Sequence, residues 1–450
     1  MNKILVANRG EIAIRVFRAC RNLKIPTVAV YSESDKDALH VQMADEAICI
    51  GSGPANESYL NMDRILSACR VTGADAIHPG YGFLSENPEF AGLCREQNIN
   101  FIGPPSHVME LMGEKSHAKK KMKEAGVPVV PGSDGEVTDA QEALLIADKI
   151  GYPIMIKASA GGGGKGMREV NDRSQFLSAF HIAQQETIRA FADEKMYMEK
   201  LIRRPHHVEV QVLADKFGNV ICLGERDCSI QRNHQKLLEE APSTNINDIT
   251  REKMLAAAKR AAEEVNYVGA GTIEFIVDDN QNFYFMEMNT RIQVEHPVTE
   301  MLFGIDLVEA QIRIARGEEL PESYKNLTMK GHVIECRINA EDPMEGFRPS
   351  PGRIGYTHLP GGYGVRCDTG IYDNYTIPTD YDSLLAKVIV QAESREEAIS
   401  KMQTALDEMV ITGIKTNLDF QYLLVSDPEF QKGHMDTSFI HNFLERINLD

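Results

Sequence analysis

Apolar and polar residues recur along the first quarter of the chain in patterns that predict strands and helices in turn. Between the predicted strands, apolar positions fall at helical spacing, as they do in residues 59–71. Strands that alternate with helices form parallel sheets, so the pattern predicts a parallel α/β unit at the N-terminus. Its predicted strands are residues 3–7, 27–31, 47–50, 74–78 and 99–103.

The rest of the chain continues with strand-like segments and two connectors. A Pro- and Gly-rich stretch at 126–135 and a polar stretch at 321–330 predict boundaries between structural units. A helix is predicted at 396–410. We therefore predict a mixed α/β chain with three units. The predicted strands are residues 152–159, 196–200, 208–213, 220–225, 272–277, 283–289, 333–339 and 386–391.

Composition narrows the class of protein. The 450 residues are 43% hydrophobic and 25% charged, which is typical of globular proteins, and no apolar stretch reaches the roughly 20 residues that span a membrane. The net charge of −18 disfavours nucleic acid and anionic membranes as partners. The eight cysteines are scattered without a Cys-x-x-Cys pair. These features predict a reduced, cytoplasmic protein that binds neither nucleic acid nor membrane.

The glycine-rich run at 161–166 is the strongest local signal. Backbone N–H groups of such a run can turn toward phosphate oxygens, and Lys165 adds a positive charge. Met167 follows where a Walker-type loop carries Ser or Thr, so the run does not match that motif. It is either a flexible lid over a nucleotide or a plain mobile hairpin tip. The first turn, at 8–10, has a single glycine and so gives little support to an NAD-binding fold.

The segment 283–295 carries a row of polar residues within an apolar strand pattern. If the chain stays extended, the face that begins with Phe283 and Phe285 continues with Glu287, Asn289, Arg291, Gln293 and Glu295. Upstream, Glu274 interrupts another apolar strand. Glu274 and Glu287 on one sheet can share Mg²⁺ ions beside phosphates; the alternative is a solvated sheet face.

Two further segments have weaker signals. Residues 225–236 (ERDCSIQRNHQK) are basic and suit small anions, although a single histidine there is more often structural. Residues 78–87 (HPGYGFLSEN) read as a structured loop at a strand end, where ligands of parallel sheets bind.

Taken together, the motifs resemble the biotin carboxylase family of the ATP-grasp superfamily over almost the whole chain. The match looks closest to the separate biotin carboxylase subunit of bacterial acetyl-CoA carboxylase. The resemblance implies an N-terminal domain at 1–113, an ATP-grasp domain at 114–316 with a mobile lid at about 131–203, and a C-terminal domain at 330–446. The motifs are ANRGEIAIR (7–15), HPGYGFLSEN (78–87), KASAGGGGKGMR (157–168), ERDCSIQR (225–232), EMNTRIQVEHPVTE (287–300) and ECRINAED (335–342).

The resemblance also implies a role for particular residues. Glu295 matches the general base, and Arg337 the residue that stabilises the biotin enolate. Tyr81 and Gly82 match the biotin-facing loop. The implied metal ligands for two Mg²⁺ or Mn²⁺ ions are Glu274, Glu287 and Asn289, and the implied bicarbonate pocket is Lys236, Arg291, Gln293 and Val294. The implied ATP contacts are Lys115, Lys157, Gly163, Gly164, Glu199, Lys200, Leu201, Ile202, His207 and His234.

The implied activity is the ATP- and bicarbonate-dependent carboxylation of biotin through carboxyphosphate, as the first half-reaction of acetyl-CoA carboxylase in fatty acid synthesis. A Met-Lys-Met biotin-attachment site and room for a carboxyltransferase are not found in the 450 residues. The expected partners are therefore a biotin carboxyl carrier protein, carboxyltransferase subunits and a second copy of the chain. The chain departs from the commoner family sequence at Asn233, where Arg is usual, and at residues 379–383 (TDYDS).

Three other functions stay open at this point. One is another ATP-grasp ligase with an acyl-phosphate intermediate, such as a carboxylase of purine synthesis. Another is a non-catalytic nucleotide-binding subunit, which would lack Glu295, Arg337 or the metal acids; all are present. The third, an NAD-dependent dehydrogenase, is weakened by the first turn.

Overall fold

The structure, a computed structural model, describes residues 1–158, 167–191 and 194–447. Gly163 and Gly164 lie outside the described residues. In the part of the chain that is described, none of the helices combines the length and the apolar character needed to cross a membrane.

The N-terminal part is a parallel sheet, as predicted. The described strands there are β1 (Ile4–Val6), β2 (Thr27–Ser32), β3 (Glu46–Gly51), β4 (Ala76–His78) and β5 (Asn100–Phe101), in the order β3-β2-β1-β4-β5. Its helices are α1 (Gly10–Asn22), α2 (Leu39–Met43), α3 (Met62–Thr72), α4 (Pro88–Glu96) and α5 (Ser106–Gly113).

The loops after β1 and β4 meet at one edge of this sheet, because parallel neighbours end at the same edge. Asn8 Nδ2 donates hydrogen bonds to the carbonyl oxygens of Pro79 and Tyr81, at 2.7 Å each. This contact shapes the 78–87 loop and directs it toward the rest of the molecule.

A small antiparallel sheet follows the helix α6 (Lys115–Glu124). In the described residues it has the order β7-β6-β8. Its apolar face packs on two helices around Phe176 and Phe180. The elements are α7 (Ala140–Ile150), β6 (Ile154–Ala158), β7 (Arg168–Val170), α8 (Phe176–Phe191) and β8 (Met196–Lys200).

A large antiparallel sheet forms the centre of the molecule. Within the described residues its order is β13-β12-β9-β10-β11-β14-β21-β19, so it joins strands from the second and third predicted units. The limits of the three domains stay a prediction. The elements up to residue 315 are β9 (His206–Ala214), β10 (Val220–Arg232), β11 (Gln235–Ala241), α9 (Asp248–Glu264), β12 (Gly269–Val277), β13 (Phe283–Asn289), α10 (His296–Phe303) and α11 (Leu307–Ala315).

The C-terminal elements complete this sheet and cover one of its faces. Buried apolar residues of α12, α13 and α15 pack there against β14 and β21. The strands are β14 (His332–Asn339), β15 (Glu341–Asp342), β16 (Arg348–Pro349), β17 (Gly352–Arg353), β18 (Thr357–His358), β19 (Val365–Thr369), β20 (Thr376–Ile377), β21 (Leu384–Ala392) and β22 (Val410–Ile411). The helices are α12 (Arg395–Glu408), α13 (Leu418–Ser426), α14 (Pro428–Gln431) and α15 (Phe439–Arg446).

The predicted continuous polar face of 283–295 is wrong. The pairing of β12 with β13 shifts between Glu274↔Glu287 and Phe275↔Phe285, so Met286 is an extra residue, a β-bulge. The bulge reverses the alternation, and Met288 joins Phe283 and Phe285 in the apolar core. Glu287 therefore lies on the opposite face from the two phenylalanines. After Asn289 the chain leaves the strand.

The strand predicted at 220–225 is longer than predicted and includes most of the basic segment 225–236. It continues to Arg232 as β10. A tight turn at Asn233 and His234 then leads into β11. The segment is thus one hairpin of the central sheet, with irregular pairing between Asp227 and Gln231.

Candidate active site

Glu295 lies between two cations at the start of α10. Lys236 Nζ donates to Glu295 Oε1 (2.6 Å), and Arg337 Nη2 donates to Oε2 (2.8 Å). Lys236 comes from β11 and Arg337 from its neighbour β14. Glu295 is 2% exposed, so its direction is fixed and bulk water is largely excluded from it.

The protonation state of Glu295 follows from these contacts. Burial disfavours its charged form, but Lys236, Arg337 and Arg226 act in the opposite direction and hold the pKa of this carboxyl well below its usual range. Glu295 is therefore a carboxylate at neutral pH. The pKa of Glu295 rises when a second anion binds the same cations, because their attraction is then divided between two negative charges.

Lys236 joins Glu295 to the other acids of the cluster. Besides Glu295, its Nζ donates to Glu209 Oε2 (2.6 Å) and Glu274 Oε1 (3.2 Å). The ammonium group thus lies among carboxylates from three elements. A small anion that enters here meets a positive charge already held in place.

Arg226 supports this cluster from inside the sheet. It is fully buried, and its Nη2 donates to Gln293 Oε1 (2.7 Å) while its Nε donates to Glu209 Oε1 (2.6 Å). Its remaining partners are Gln211, Thr272 and Thr299. Since the protein occupies its donors, Arg226 is a structural cation, although the basic segment that contains it suggested anion binding.

The three predicted metal ligands lie together on the β12–β13 pair. Glu274 is directly opposite Glu287, and Asn289 Nδ2 donates to Glu274 Oε1 (2.8 Å). Glu274 is buried, whereas the Glu287 side chain is 41% exposed and lies 3.4 Å from Lys115 Nζ. A solvated face is thus excluded for Glu274. Two carboxylates and an amide oxygen form a donor set that fits Mg²⁺ or Mn²⁺.

Arg291 and Gln293 border the same cluster. Arg291 Nη2 donates to Asn289 Oδ1 (2.8 Å), and its Nε donates to Glu86 Oε2 (2.7 Å) from the 78–87 loop. Gln293 Nε2 donates to Glu274 Oε1 (2.8 Å). The N-terminal sheet therefore orients one of the predicted bicarbonate residues.

Val294 is held through its main chain. Its carbonyl accepts a hydrogen bond from Lys387 Nζ (3.0 Å), and Lys387 is fully buried on β21. Lys387 also lies 3.1 Å from Glu11 Oε1 of α1. This lysine fixes the peptide immediately before Glu295.

The predicted nucleotide residues of the small sheet form a second group. Lys157 Nζ donates to Glu199 Oε2 (2.6 Å), and Lys119 contacts the other oxygen. Lys200 Nζ donates to the carbonyls of Gly151 (3.0 Å) and Tyr152 (2.7 Å). Leu201 and Ile202 follow directly and are half-buried.

A short segment connects this second group to the metal ligands. Val129 pairs with Phe285 of β13, and Gly132 pairs with Glu199 of β8. Three residues span at most about 10 Å, so this connection keeps the small sheet close to the β12–β13 pair.

The two predicted histidines occupy different positions. His207 is buried, and its Nε2 lies 3.0 Å from Glu274 Oε2. His234 is exposed in the turn between β10 and β11. His207 thus belongs to the acidic cluster, whereas His234 is a turn residue.

Tyr81 and Gly82 lie in the loop after β4. The Tyr81 hydroxyl donates to Glu11 of α1, and Gly82 has a φ of +68°, which favours glycine. Burial and the Glu11 carboxylate raise the pKa of Tyr81 well above its usual range. Tyr81 is therefore a neutral hydrogen-bond donor.

Three family models match the chain. They are described as "Biotin carboxylase, N-terminal domain" for residues 1–109, "Carbamoyl-phosphate synthase L chain, ATP binding domain" for 114–323 and "Biotin carboxylase C-terminal domain" for 335–442. A biotin carboxylase of Nostoc sp. is 55% identical over 439 residues, which cover 98% of each chain. The chain belongs to the biotin carboxylase family.

Other members of this family are similar to the chain as well. A pyruvate carboxylase subunit of Methanothermobacter thermautotrophicus is 53% identical over 449 residues, which cover 100% of this chain and 91% of that one. A Hydrogenobacter thermophilus structure, the dimer of the biotin carboxylase domain of 2-oxoglutarate carboxylase with MgADP, ADP and bicarbonate, has a TM-score of 0.88 and 51% identity, with coverage of 98% and 97%. The chain is a biotin carboxylase with the ATP-grasp fold, and hence an ATP-dependent ligase.

Sequence reasoning missed several residues of this biotin carboxylase site. Glu209 and Arg226 form its central buried ion pair, and Glu86 and Lys387 orient Arg291 and Val294. A signal exists for Glu209, which interrupts the apolar pattern of β9 as Glu274 interrupts that of β12. Lys387 interrupts the apolar pattern of β21 in the same way, whereas nothing local marks Glu86, whose partner is far away in sequence.

Proposed function

We propose that this biotin carboxylase is the subunit of an acetyl-CoA carboxylase that carboxylates biotin on a carrier protein. The observation that carries the catalytic part is the position of Glu295 between Lys236 and Arg337, beside Glu274. A base, a fixed cation and a second cation at one point suit the activation of bicarbonate next to an acceptor.

Bicarbonate binds at Lys236, Arg291, Gln293 and Val294 in this proposal. Lys236 and Arg291 attract the anion, while the amide of Gln293 and the main chain of Val294 orient it. As bicarbonate takes a share of Lys236, Glu295 loses part of the attraction that lowers its pKa. Glu295 then accepts the bicarbonate proton, and the freed oxygen attacks the γ-phosphorus of ATP while the bond to ADP breaks.

ATP lies between the small sheet and the metal ligands. Lys157 and Lys115 bind its phosphates, and Glu199, Lys200, Leu201 and Ile202 line the base pocket. His207, His234, Gly163 and Gly164 are the other proposed ATP contacts. Lys157 and Lys115 are both near carboxylates, Glu199 and Glu287, from which they can turn toward phosphate.

Glu274, Glu287 and Asn289 hold two Mg²⁺ or Mn²⁺ ions in this proposal. Their oxygen atoms fit hard cations, and Glu287 is exposed enough to reach a nucleotide-bound ion. When bound, such ions offset the charge on the phosphate oxygens.

Biotin meets the loop of Tyr81 and Gly82. Carboxyphosphate breaks down to CO₂ and phosphate, the phosphate accepts the ureido proton, and the biotin nitrogen attacks CO₂. Arg337 stabilises the oxyanion of the deprotonated ureido group, since it is a fixed cation in a site with little water.

The proposed downstream acceptor of the carboxyl group is acetyl-CoA. Acetyl-CoA, with malonyl-CoA as product for fatty acid synthesis, is inferred from the resemblance to the separate biotin carboxylase subunits of bacterial acetyl-CoA carboxylase. Pyruvate is the second candidate, because the Methanothermobacter relative is named as a pyruvate carboxylase subunit.

Two assays test the proposal. ADP release with free biotin should require bicarbonate and should increase with biotin concentration. With purified carrier protein and each carboxyltransferase in turn, label from bicarbonate should enter malonyl-CoA rather than oxaloacetate. ADP release that requires bicarbonate but does not increase with biotin would refute the biotin step. Label in oxaloacetate would favour pyruvate as the downstream acceptor.

A homodimer is the proposed assembly, because the Hydrogenobacter structure is described as a dimer of a domain 51% identical to this chain. Sedimentation of the full chain at micromolar concentration should give about twice its mass of 50.2 kDa. A species at the monomer mass would contradict it.

A further inference from the structure

Two glutamates that the reaction does not use lie behind Arg337. Glu239 of β11 and Glu335 of β14 are directly opposite each other in the antiparallel pair, and both are fully buried. Opposed residues of neighbouring strands have Cβ atoms about 5 Å apart. Two carboxyl groups are therefore side by side in the interior of the sheet.

Cations compensate only part of this charge. Arg337 Nε donates to Glu239 Oε1 (2.7 Å). Among the described residues, Glu239 Oε2 and both oxygens of Glu335 have no hydrogen-bond partner. Lys387 faces this region, but its Nζ is already close to Glu11 and donates to Val294.

A dry interior does not tolerate two adjacent carboxylates that share one guanidinium, since a buried charge without its own counter-charge strongly destabilises the fold. One of the pair therefore holds a proton. Burial raises the pKa of both carboxyls, that of Glu335 well above its usual range, whereas Arg337 opposes this rise at Glu239. The charged or titratable groups facing the pair are Lys236 on β11, Arg337 on β14, Lys387 on β21, Glu295 before α10 and Tyr81 in the 78–87 loop.

We propose that Glu239 and Glu335 share one proton and together act as positioning residues for Arg337. Glu335 carries the proton and donates it to Glu239 Oε2, so that Glu239 stays ionised and holds Arg337 Nε. The proposal rests on the proposed role of Arg337 at the biotin oxyanion.

This arrangement leaves the Nη1 edge of the Arg337 guanidinium for substrate. Glu239 takes Nε and Glu295 takes Nη2, whereas Arg337 Nη1 has no hydrogen bond to the described residues. The Arg337 side chain is 15% exposed, so it reaches the cleft. A guanidinium held through two of its three nitrogens can offer the third in a constant direction, which is what an oxyanion that forms only in the transition state requires.

The test compares Glu335→Gln with Glu335→Met, two side chains of similar volume. Gln keeps an N–H donor for Glu239, so biotin-dependent ADP release should stay within about twofold of the wild type. Met removes the donor, and the biotin-dependent rate should fall about tenfold or more, as for other residues that orient a functional group. Bicarbonate-dependent ATP hydrolysis without biotin should stay within about twofold in the Gln variant and fall much less than the biotin-dependent rate in the Met variant, because Lys236 still holds Glu295 when Arg337 shifts.

Three results would contradict the proposed shared proton. They are a Gln variant that loses as much activity as the Met variant, a Met variant with the wild-type biotin-dependent rate, or equal losses of both rates. If the Met variant melts below the assay temperature, Glu239→Gln decides: a selective loss of the biotin-dependent rate supports the proposal and an unchanged rate refutes it. A wild type without biotin-dependent ADP release would refute the proposed function instead.

Discussion

At the scale of single residues, the chemistry of this site depends on how carboxylates share a few cations. Lys236 contacts three of them, and Arg337 contacts Glu239 and Glu295. Their pKa values therefore differ: despite burial, the cations around Glu295 hold its pKa well below the usual range, whereas burial raises the pKa of Glu335 well above it. The same residue type serves as base and as proton holder because its environment differs.

The base role predicts the effect of Glu295→Gln. The amide keeps a hydrogen-bond acceptor for Lys236 but cannot take the bicarbonate proton, so ADP release should fall by about two to four orders of magnitude. Nucleotide binding, measured by calorimetry, should stay near the wild-type value.

A matched substitution separates this effect from a general one. Glu322 is a surface residue with a side chain 78% exposed, and Glu322→Gln should leave turnover unchanged. Turnover of Glu295→Gln close to that of the control would remove Glu295 from the base role.

At the scale of elements, strand register decides which side chains meet. The bulge at Met286 turns Glu287 away from Phe283 and Phe285 while Glu274 and Glu287 stay opposite. The β10–β11 hairpin brings Lys236 next to Glu209 and Glu295 through a two-residue turn. Asn233 and His234 have φ angles of +49° and +65°, as type I′ turns require.

This turn predicts that position 233 is sensitive to branched side chains. Asn tolerates positive φ, and Val does not, so Asn233→Val should destabilise the protein by about 1–2 kcal/mol. Asn233→Gly, which adopts positive φ freely, is the matched control and should stay within about 0.5 kcal/mol of the wild type. Urea unfolding measures both, and equal stability of the two variants would contradict the turn assignment.

At the scale of the whole molecule, ion pairs and stacked rings join the N-terminal sheet to the C-terminal part. Arg9 binds both oxygens of Asp35, at 2.6 and 2.7 Å, and stacks 4.2 Å from the ring centre of Tyr381. Tyr59 also donates to Asp35 (2.6 Å). Asp35 is fully buried, and although burial opposes ionisation, Arg9 lowers its pKa below the usual range.

Removal of Arg9 should therefore destabilise the fold. Arg9→Met leaves the buried Asp35 without its cation and should cost about 3–5 kcal/mol, measured by calorimetric melting. The double variant Arg9→Met/Asp35→Asn should regain part of this stability, since no unpaired charge remains. Strictly additive losses would contradict a direct pair.

The contribution of Asp35 to the free energy of unfolding decreases in acid. Because the pKa of Asp35 is lowered in the folded state, its contribution is complete above the unfolded value of about 4 and is lost as the pH falls through the folded value. The stability difference between wild type and Asp35→Asn should thus be constant from about pH 6 to 8 and shrink in acid.

Much of the fold and the list of candidate residues were predictable from the sequence. The parallel N-terminal sheet follows from alternating strands and helices, and Glu274 is conspicuous because a carboxylate interrupts an apolar strand. Such signals are local: they depend on residues a few positions apart, and hydrophobic periodicity records them directly.

Tertiary structure alone decided which charges meet. Glu209 with Arg226, Glu86 with Arg291 and Glu239 with Glu335 join strands or loops that are distant in sequence. A one-residue change of register turns a side chain to the other face, as the Met286 bulge does, and no local pattern encodes the register between strands. The sequence by itself determined which chemical groups this biotin carboxylase has; the register of its central sheet determined their neighbours, and hence which of them are charged.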